Sequence, residues 1–110
     1  MTYVFRGGLV RPGALTRILG PWVVLKLHPT HLEFRMRFRW LELVFGRWRL
    51  ERSAIRDIYP GRPNALSPWG RVNFLGEENM PWAFLTQWPL EVLDAAEKLG
   101  YPVRYDDRIP

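Results

Sequence analysis

The sequence predicts a mainly β domain with one C-terminal α-helix. Five to seven short antiparallel strands would form a small barrel or a sandwich of two orthogonal sheets, capped by the helix. Three observations carry this. Residues 31–40, HLEFRMRFRW, alternate apolar and charged side chains, the period of a strand with one buried and one wet face. Residues 70–76 and 81–86 flank the polar turn Glu77-Glu78-Asn79 and read as a hairpin. Residues 89–99 put Val92, Leu93, Ala96 and Leu99 on one stripe at helical spacing.

The elements follow in order. Residues 1–21 read as an irregular lead, because Gly7-Gly8, Pro12-Gly13 and Gly20-Pro21 interrupt regular structure. Residues 22–28, WVVLKLH, are an apolar, β-branched strand, and Pro29-Thr30 makes the turn after it. In 31–40 the strand sends Leu32, Phe34, Met36, Phe38 and Trp40 inward and Glu33, Arg35, Arg37 and Arg39 outward. A helix would spread the same apolar residues around its whole axis. Residues 41–50, LELVFGRWRL, continue as β with Gly46 as a bulge or turn. Trp48 and Leu50 then point inward, Arg47 and Arg49 outward. Residues 53–59 enter another strand anchored by Ile55 and Ile58, and 60–69, with three prolines, form the longest loop.

The helix at about 89–99 opens on Pro89, whose missing N–H costs nothing at the first helical position. Glu91 adds negative charge to its first turn, Asp94 and Lys98 form an i,i+4 pair, and Gly100 with Pro102 ends it. The domain therefore spans 22–101. The tail 102–110 either adds an edge strand or stays loose.

Composition limits the function. The 110 residues make one domain, and 47% apolar content excludes a disordered chain. With no cysteine there is no disulfide framework, thiolate metal site or Cys nucleophile. The net charge of +5 is uneven: residues 1–52 hold ten basic and three acidic groups, and 53–110 hold six and eight. A basic half suits an anionic partner, although arginine can also serve as the ordinary solvating residue. No apolar stretch has the length of a signal peptide or a membrane span, so the chain is expected to be soluble and cytoplasmic, with no transmembrane segment.

Four stretches, WVVLKLHPTHLEFRM, RWRLERSAIRDI, GRVNFLGEENMPWAFLT and PLEVLDAAEKLG, in this order resemble the bacterial pleckstrin-homology-like (PH-like) domain family over residues 20–100. In such domains a strand with an aromatic or apolar residue leads through a corner to an isoleucine-bearing strand, as Trp48 to Ile58 does here. The last hairpin then feeds a helix that often begins with proline. The resemblance implies a PH-like fold and a non-catalytic module that binds protein, peptide or sometimes lipid.

The first candidate surface is a ladder of Arg35, Arg37, Arg39, Arg47 and Arg49, with guanidinium groups about 6.8 Å apart along one sheet face. Forked guanidinium groups bind phosphate or carboxylate. Glu33, Glu42 and Glu51 could instead pair with them across the strands. The second candidate is Trp69, an interface anchor at the end of the Pro-rich loop; it could equally fold back and cap a barrel end. Trp40, Trp48, Phe34 and Phe38 read as core.

His28 and His31 flank Pro29-Thr30, and with no third ligand evident they read as turn residues, not a metal site. No nucleophile, base and orienter occur together, so neither catalytic residues nor cofactors are expected. The expected function is a binding module that engages a protein, a peptide or an anionic membrane surface through a basic sheet face. Homo-oligomerisation through an unpaired sheet edge is a further option. Nucleic-acid binding is the alternative, weakened because the alternation over 31–40 sends rings and arginines to opposite faces.

Overall fold

The computed structural model describes residues 2–10, 17–61, 70–76 and 81–105. Seven strands, β1 (Tyr3–Val10), β2 (Arg17–Leu27), β3 (His31–Met36), β4 (Trp48–Glu51), β5 (Asp57–Pro60), β6 (Gly70–Leu75) and β7 (Trp82–Thr86), form one antiparallel sheet in the order β4-β3-β2-β1-β7-β6-β5. Helix α1 (Arg39–Phe45) lies between β3 and β4, and α2 (Pro89–Lys98) follows β7. The mainly β architecture, the hairpin of β6 and β7 and the C-terminal helix agree with the sequence reading.

The sheet curls but does not close. Its outermost strands, β4 and β5, are joined by residues 52–56, a link that spans at most about 22 Å. The two halves therefore face each other. Phe34 on β3 meets Phe74 on β6 edge-on at 5.6 Å and stacks on Trp82 of β7 at 5.6 Å, although three strands separate β3 from β6 in the sheet order. Leu25, Leu27, Leu32, Phe34, Ile58, Val72, Phe74 and Phe84 fill the space between them. Helix α2 packs on β5 and β6 and adds Val92, Leu93 and Ala96 to this core, with Leu99 partly buried at its end.

The helix stops as its letters predict. Gly100 has φ +90, a left-handed conformation that costs glycine little. Its N–H donates to Glu97 O, and the Tyr101 N–H donates to Ala96 O, the paired bonds of a Schellman cap. Beyond it, the Ile58 N–H donates to Pro102 O and the Arg104 N–H to Ile58 O. Val103 thus makes an isolated parallel bridge to β5.

Two expectations are corrected. The lead is not irregular: Tyr3–Val10 is β1, the strand that joins the two halves of the sheet by pairing with both β2 and β7. Its glycines do not break the strand. Gly7 lets it pass close to a neighbour, since a Cβ there would collide with the carbonyl oxygen of Leu85. The register against β2 jumps between Gly7 and Leu9, and the extra β2 residues include Gly20-Pro21, a proper place for a proline in a sheet.

The second correction concerns 37–46. Strand β3 ends at Met36, and the last rung is the Arg37 N–H donating to Trp22 O. The chain then turns into α1, where Leu41, Glu42 and Leu43 favour a helix. Gly46 is the terminator of α1, with φ +82 and its N–H donating to Glu42 O, not a bulge. Phe38 and Trp40 consequently leave the core: Trp40 is 62% exposed. Phe34 stays fully buried, and Trp48, opposite it on β4, packs partly buried against the core.

Candidate anion-docking face

The outer face of β2 and β3 is built by alternation. Leu32, Phe34 and Met36 point inward, so His31, Glu33 and Arg35 point out. Across the register, Val24 lies beside Arg35 and Lys26 beside Glu33. On the other side β4 sets Arg49 opposite Glu33. Helix α1 leans on β3 and closes one end of this face. The result is a cavity of about 570 Å³ lined by Val24, Lys26, Arg35, Met36, Arg37, Arg39, Glu42 and Arg47. A smaller cavity of about 280 Å³ adjoins it, lined by Glu33, Arg35, Arg47, Trp48 and Arg49.

Five cations in the larger cavity face one carboxylate, and that carboxylate is already engaged. The Arg35 guanidinium donates to both oxygens of Glu42, Nε to Oε1 at 2.9 Å and Nη2 to Oε2 at 3.3 Å. This bond, with the charge attraction behind it, raises the Arg35 pKa. The same bond lowers the Glu42 pKa against the opposing effect of burial. Arg49 donates to Glu51 at 2.8 Å. Two of the five arginines therefore have the carboxylate partners that the sequence allows. Arg37, Arg39 and Arg47 form no ion pair among the described residues; Arg37 lies over the Phe38 ring, 5.3 Å from its centre.

The five arginines do not form a ladder. Only Arg35 and Arg49 sit on strands, on neighbouring ones. Arg37, Arg39 and Arg47 stand where the chain enters and leaves α1, so they surround the cavity instead of lining up along one strand.

The sequence reading missed the helix beside this ring. On α1, Leu43 is 86% exposed and Val44 69% exposed, with Trp40 on the same short element. The rings of Trp22, Phe38 and Trp40 form a chain, at 5.7 Å and 6.3 Å between successive centres. Through Phe38 this chain of rings meets one arginine, Arg37, a contact the alternation over 31–40 does not foresee. The signal was present in WLELVF: five apolar residues in six do not alternate, and a glycine follows them.

Trp69 and the Glu77-Glu78 turn lie outside the described residues. His28 and His31 do hold the β2–β3 turn, with the His28 N–H donating to His31 O at 2.9 Å. Among the described residues no helix is long and apolar enough to cross a membrane. Comparison with models of known protein families, with curated proteins and with solved structures finds no match for this chain.

Proposed function

We propose that this chain is a non-catalytic docking module of PH-like architecture that holds an anionic membrane surface. The observation that carries the reading is the cavity of five cations and one engaged carboxylate set against the exposed apolar face of α1. Phosphodiester headgroups would enter the basic ring while Leu43, Val44 and Trp40 dip into the acyl boundary. The PH-like assignment is supported by the seven-strand order and by the helix that follows the last hairpin. In this reading the module works in the cytoplasm, on the anionic inner leaflet.

Magnitudes explain why both parts are needed. A Lys or Arg near an anionic leaflet contributes about 1 kcal/mol. The net charge of the cavity then supplies on the order of 4 kcal/mol, an affinity of only about 1 mM. Burying Leu43, Val44 and Trp40 adds roughly 1.5–3 kcal/mol for each side chain fully inserted. The sum reaches the roughly 8 kcal/mol of a micromolar site.

A second reading has one observation behind it. Trp22, Phe38 and Trp40 offer rings beside Arg37, the combination on which single-stranded nucleic acid stacks. Leu43 and Val44, the most exposed large apolar side chains among the described residues, offer no stacking surface, and they favour the membrane.

Co-sedimentation with vesicles separates the two. The membrane reading expects binding to phosphatidylglycerol-containing vesicles, none to phosphatidylcholine, and loss in Arg37→Glu/Arg47→Glu. Absence of binding at low salt, where charge attraction is least screened, overturns it. Displacement from vesicles by a mixed single-stranded oligonucleotide at equal or lower concentration would favour the second reading.

A further inference from the structure

We infer that His28, His31 and Glu33 form a binding site for a borderline divalent cation, Zn²⁺ in the first instance. One donor atom from each lies within 4.8 Å of the other two. The hairpin produces this arrangement. His31 and Glu33 are two residues apart on β3 and share its outer face, and the two-residue turn sets His28 directly across from His31. Two imidazoles and one carboxylate are a sufficient protein ligand set for zinc, with water in the fourth position.

The surroundings of the rings fit ligation. Nδ1 of His28 is hydrogen-bonded to Thr2 Oγ1 at 3.0 Å, and Nδ1 of His31 to Thr30 Oγ1 at 3.0 Å. Those contacts leave Nε2 of each ring as the nitrogen for a metal, which takes the place of any proton carried there. Nε2 of His31 already contacts Glu33 Oε1 at 3.1 Å, a contact that a shared cation would replace.

The backbone of the site is braced by a long-range bond, Tyr101 Oη donating to His28 O at 2.6 Å. Other charges bear on affinity. Lys26 and Arg49 flank Glu33 across the register and compete for its carboxylate, while Glu51 stands opposite His31 and is held by Arg49. The two rings are now stacked at 4.5 Å with 24° between their planes. Near-parallel rings aim their lone pairs side by side, so capture of the ion turns one ring and opens the stack.

The chain has two histidines and no cysteine, so an untagged protein offers zinc no other imidazole and no thiolate. The test is titration of the untagged, chelator-treated full chain with zinc chloride by calorimetry, with the histidine ring signals followed by NMR. The site expects one ion per chain, shifts in both ring systems, and a higher melting temperature with zinc. His31→Gln and Glu33→Gln should each weaken binding at least about tenfold, and Thr2→Val by a similar or smaller factor through loss of its ring contact. Cobalt(II) should give the intense visible bands of a tetrahedral site. Absence of saturable zinc binding by the wild-type chain overturns the inference, as does binding that survives in His28→Gln/His31→Gln. These readouts use no vesicle, so the membrane reading and the metal site can fail separately.

Discussion

Arg35 on β3 grips Glu42 on α1 through two parallel hydrogen bonds, at 2.9 and 3.3 Å. This pair fastens the exposed apolar helix to the sheet at the rim of the basic cavity. Geometry of this kind is among the stronger ion pairs, because the flat guanidinium matches both carboxylate oxygens. The pair fixes where Leu43 and Val44 stand relative to the cations.

Acid should therefore loosen α1 first. The Glu42 pKa is lowered in the folded state, chiefly by its bond to Arg35. Its contribution is present above the ordinary value of 4.5 and is lost as the pH falls through the lower folded pKa. Hydrogen exchange of the Gly46 amide, which donates to Glu42 O, should quicken in that window beyond its intrinsic pH trend. In Glu42→Gln the amide should exchange faster at neutral pH, and the step should vanish.

Two glycines should resist substitution for different reasons. Gly7→Ala drives a methyl into the Leu85 carbonyl at the crossing of β1 and β7, and overpacking of this sort costs about 1–3 kcal/mol or more. Gly46→Ala meets open space but must hold φ +82 and ψ −166, a nearly glycine-only conformation that costs about 1–3 kcal/mol. Urea denaturation should show a loss of at least about 1 kcal/mol for Gly7→Ala; no loss there would move β1 out of the sheet.

The end of β3 can be tested by truncation. Phe34→Ala removes a buried ring that touches Phe74, Trp82 and Phe84, and should cost roughly 3–5 kcal/mol. Trp40→Ala should cost less than about 0.5 kcal/mol, the ordinary range for surface changes, since the ring is mostly in solvent. Equal losses at both positions would extend β3 to residue 40.

Tyr101 closes the C-terminal end. Its buried hydroxyl donates to His28 O, and burial pushes its pKa up to about 12. Tyr101→Phe should cost about 1 kcal/mol for the lost bond. A raised phenol pKa gives stability that is full below 10 and lost as the pH rises towards 12. The midpoint of urea unfolding should fall over that interval in the wild type and fall less in Tyr101→Phe.

Legibility in the sequence followed the range of the forces involved. Leu32, Phe34 and Met36, and the stripe of Val92, Leu93 and Ala96, were readable because burial on one face imposes a local period. Phe38 and Trp40 keep the same period in the letters, but a strand also needs a neighbour to bond, and β2 offers Arg37 its last acceptor at Trp22. That limit is a long-range fact. Gly7 and Gly8 read as breakers for a similar reason: the carbonyl of Leu85 that demands a glycine lies far along the chain. The basic character of the docking face was legible, since it rests on composition. Its ring form was not, because that depends on α1. Glu33 as a companion to the two histidines was hidden only by the turn between them.

The most direct test uses the absence of cysteine from the chain. A polarity-sensitive dye attached at Leu43→Cys reports on the tip of α1, and one at Glu91→Cys, exposed on α2, serves as comparison. With phosphatidylglycerol-containing vesicles at low salt, the dye at position 43 should shift to the blue, lose the shift at high salt, and show none with phosphatidylcholine; the dye at 91 should not respond. An unchanged spectrum at 43, or equal shifts at both positions, would contradict docking through α1 and its ring of arginines.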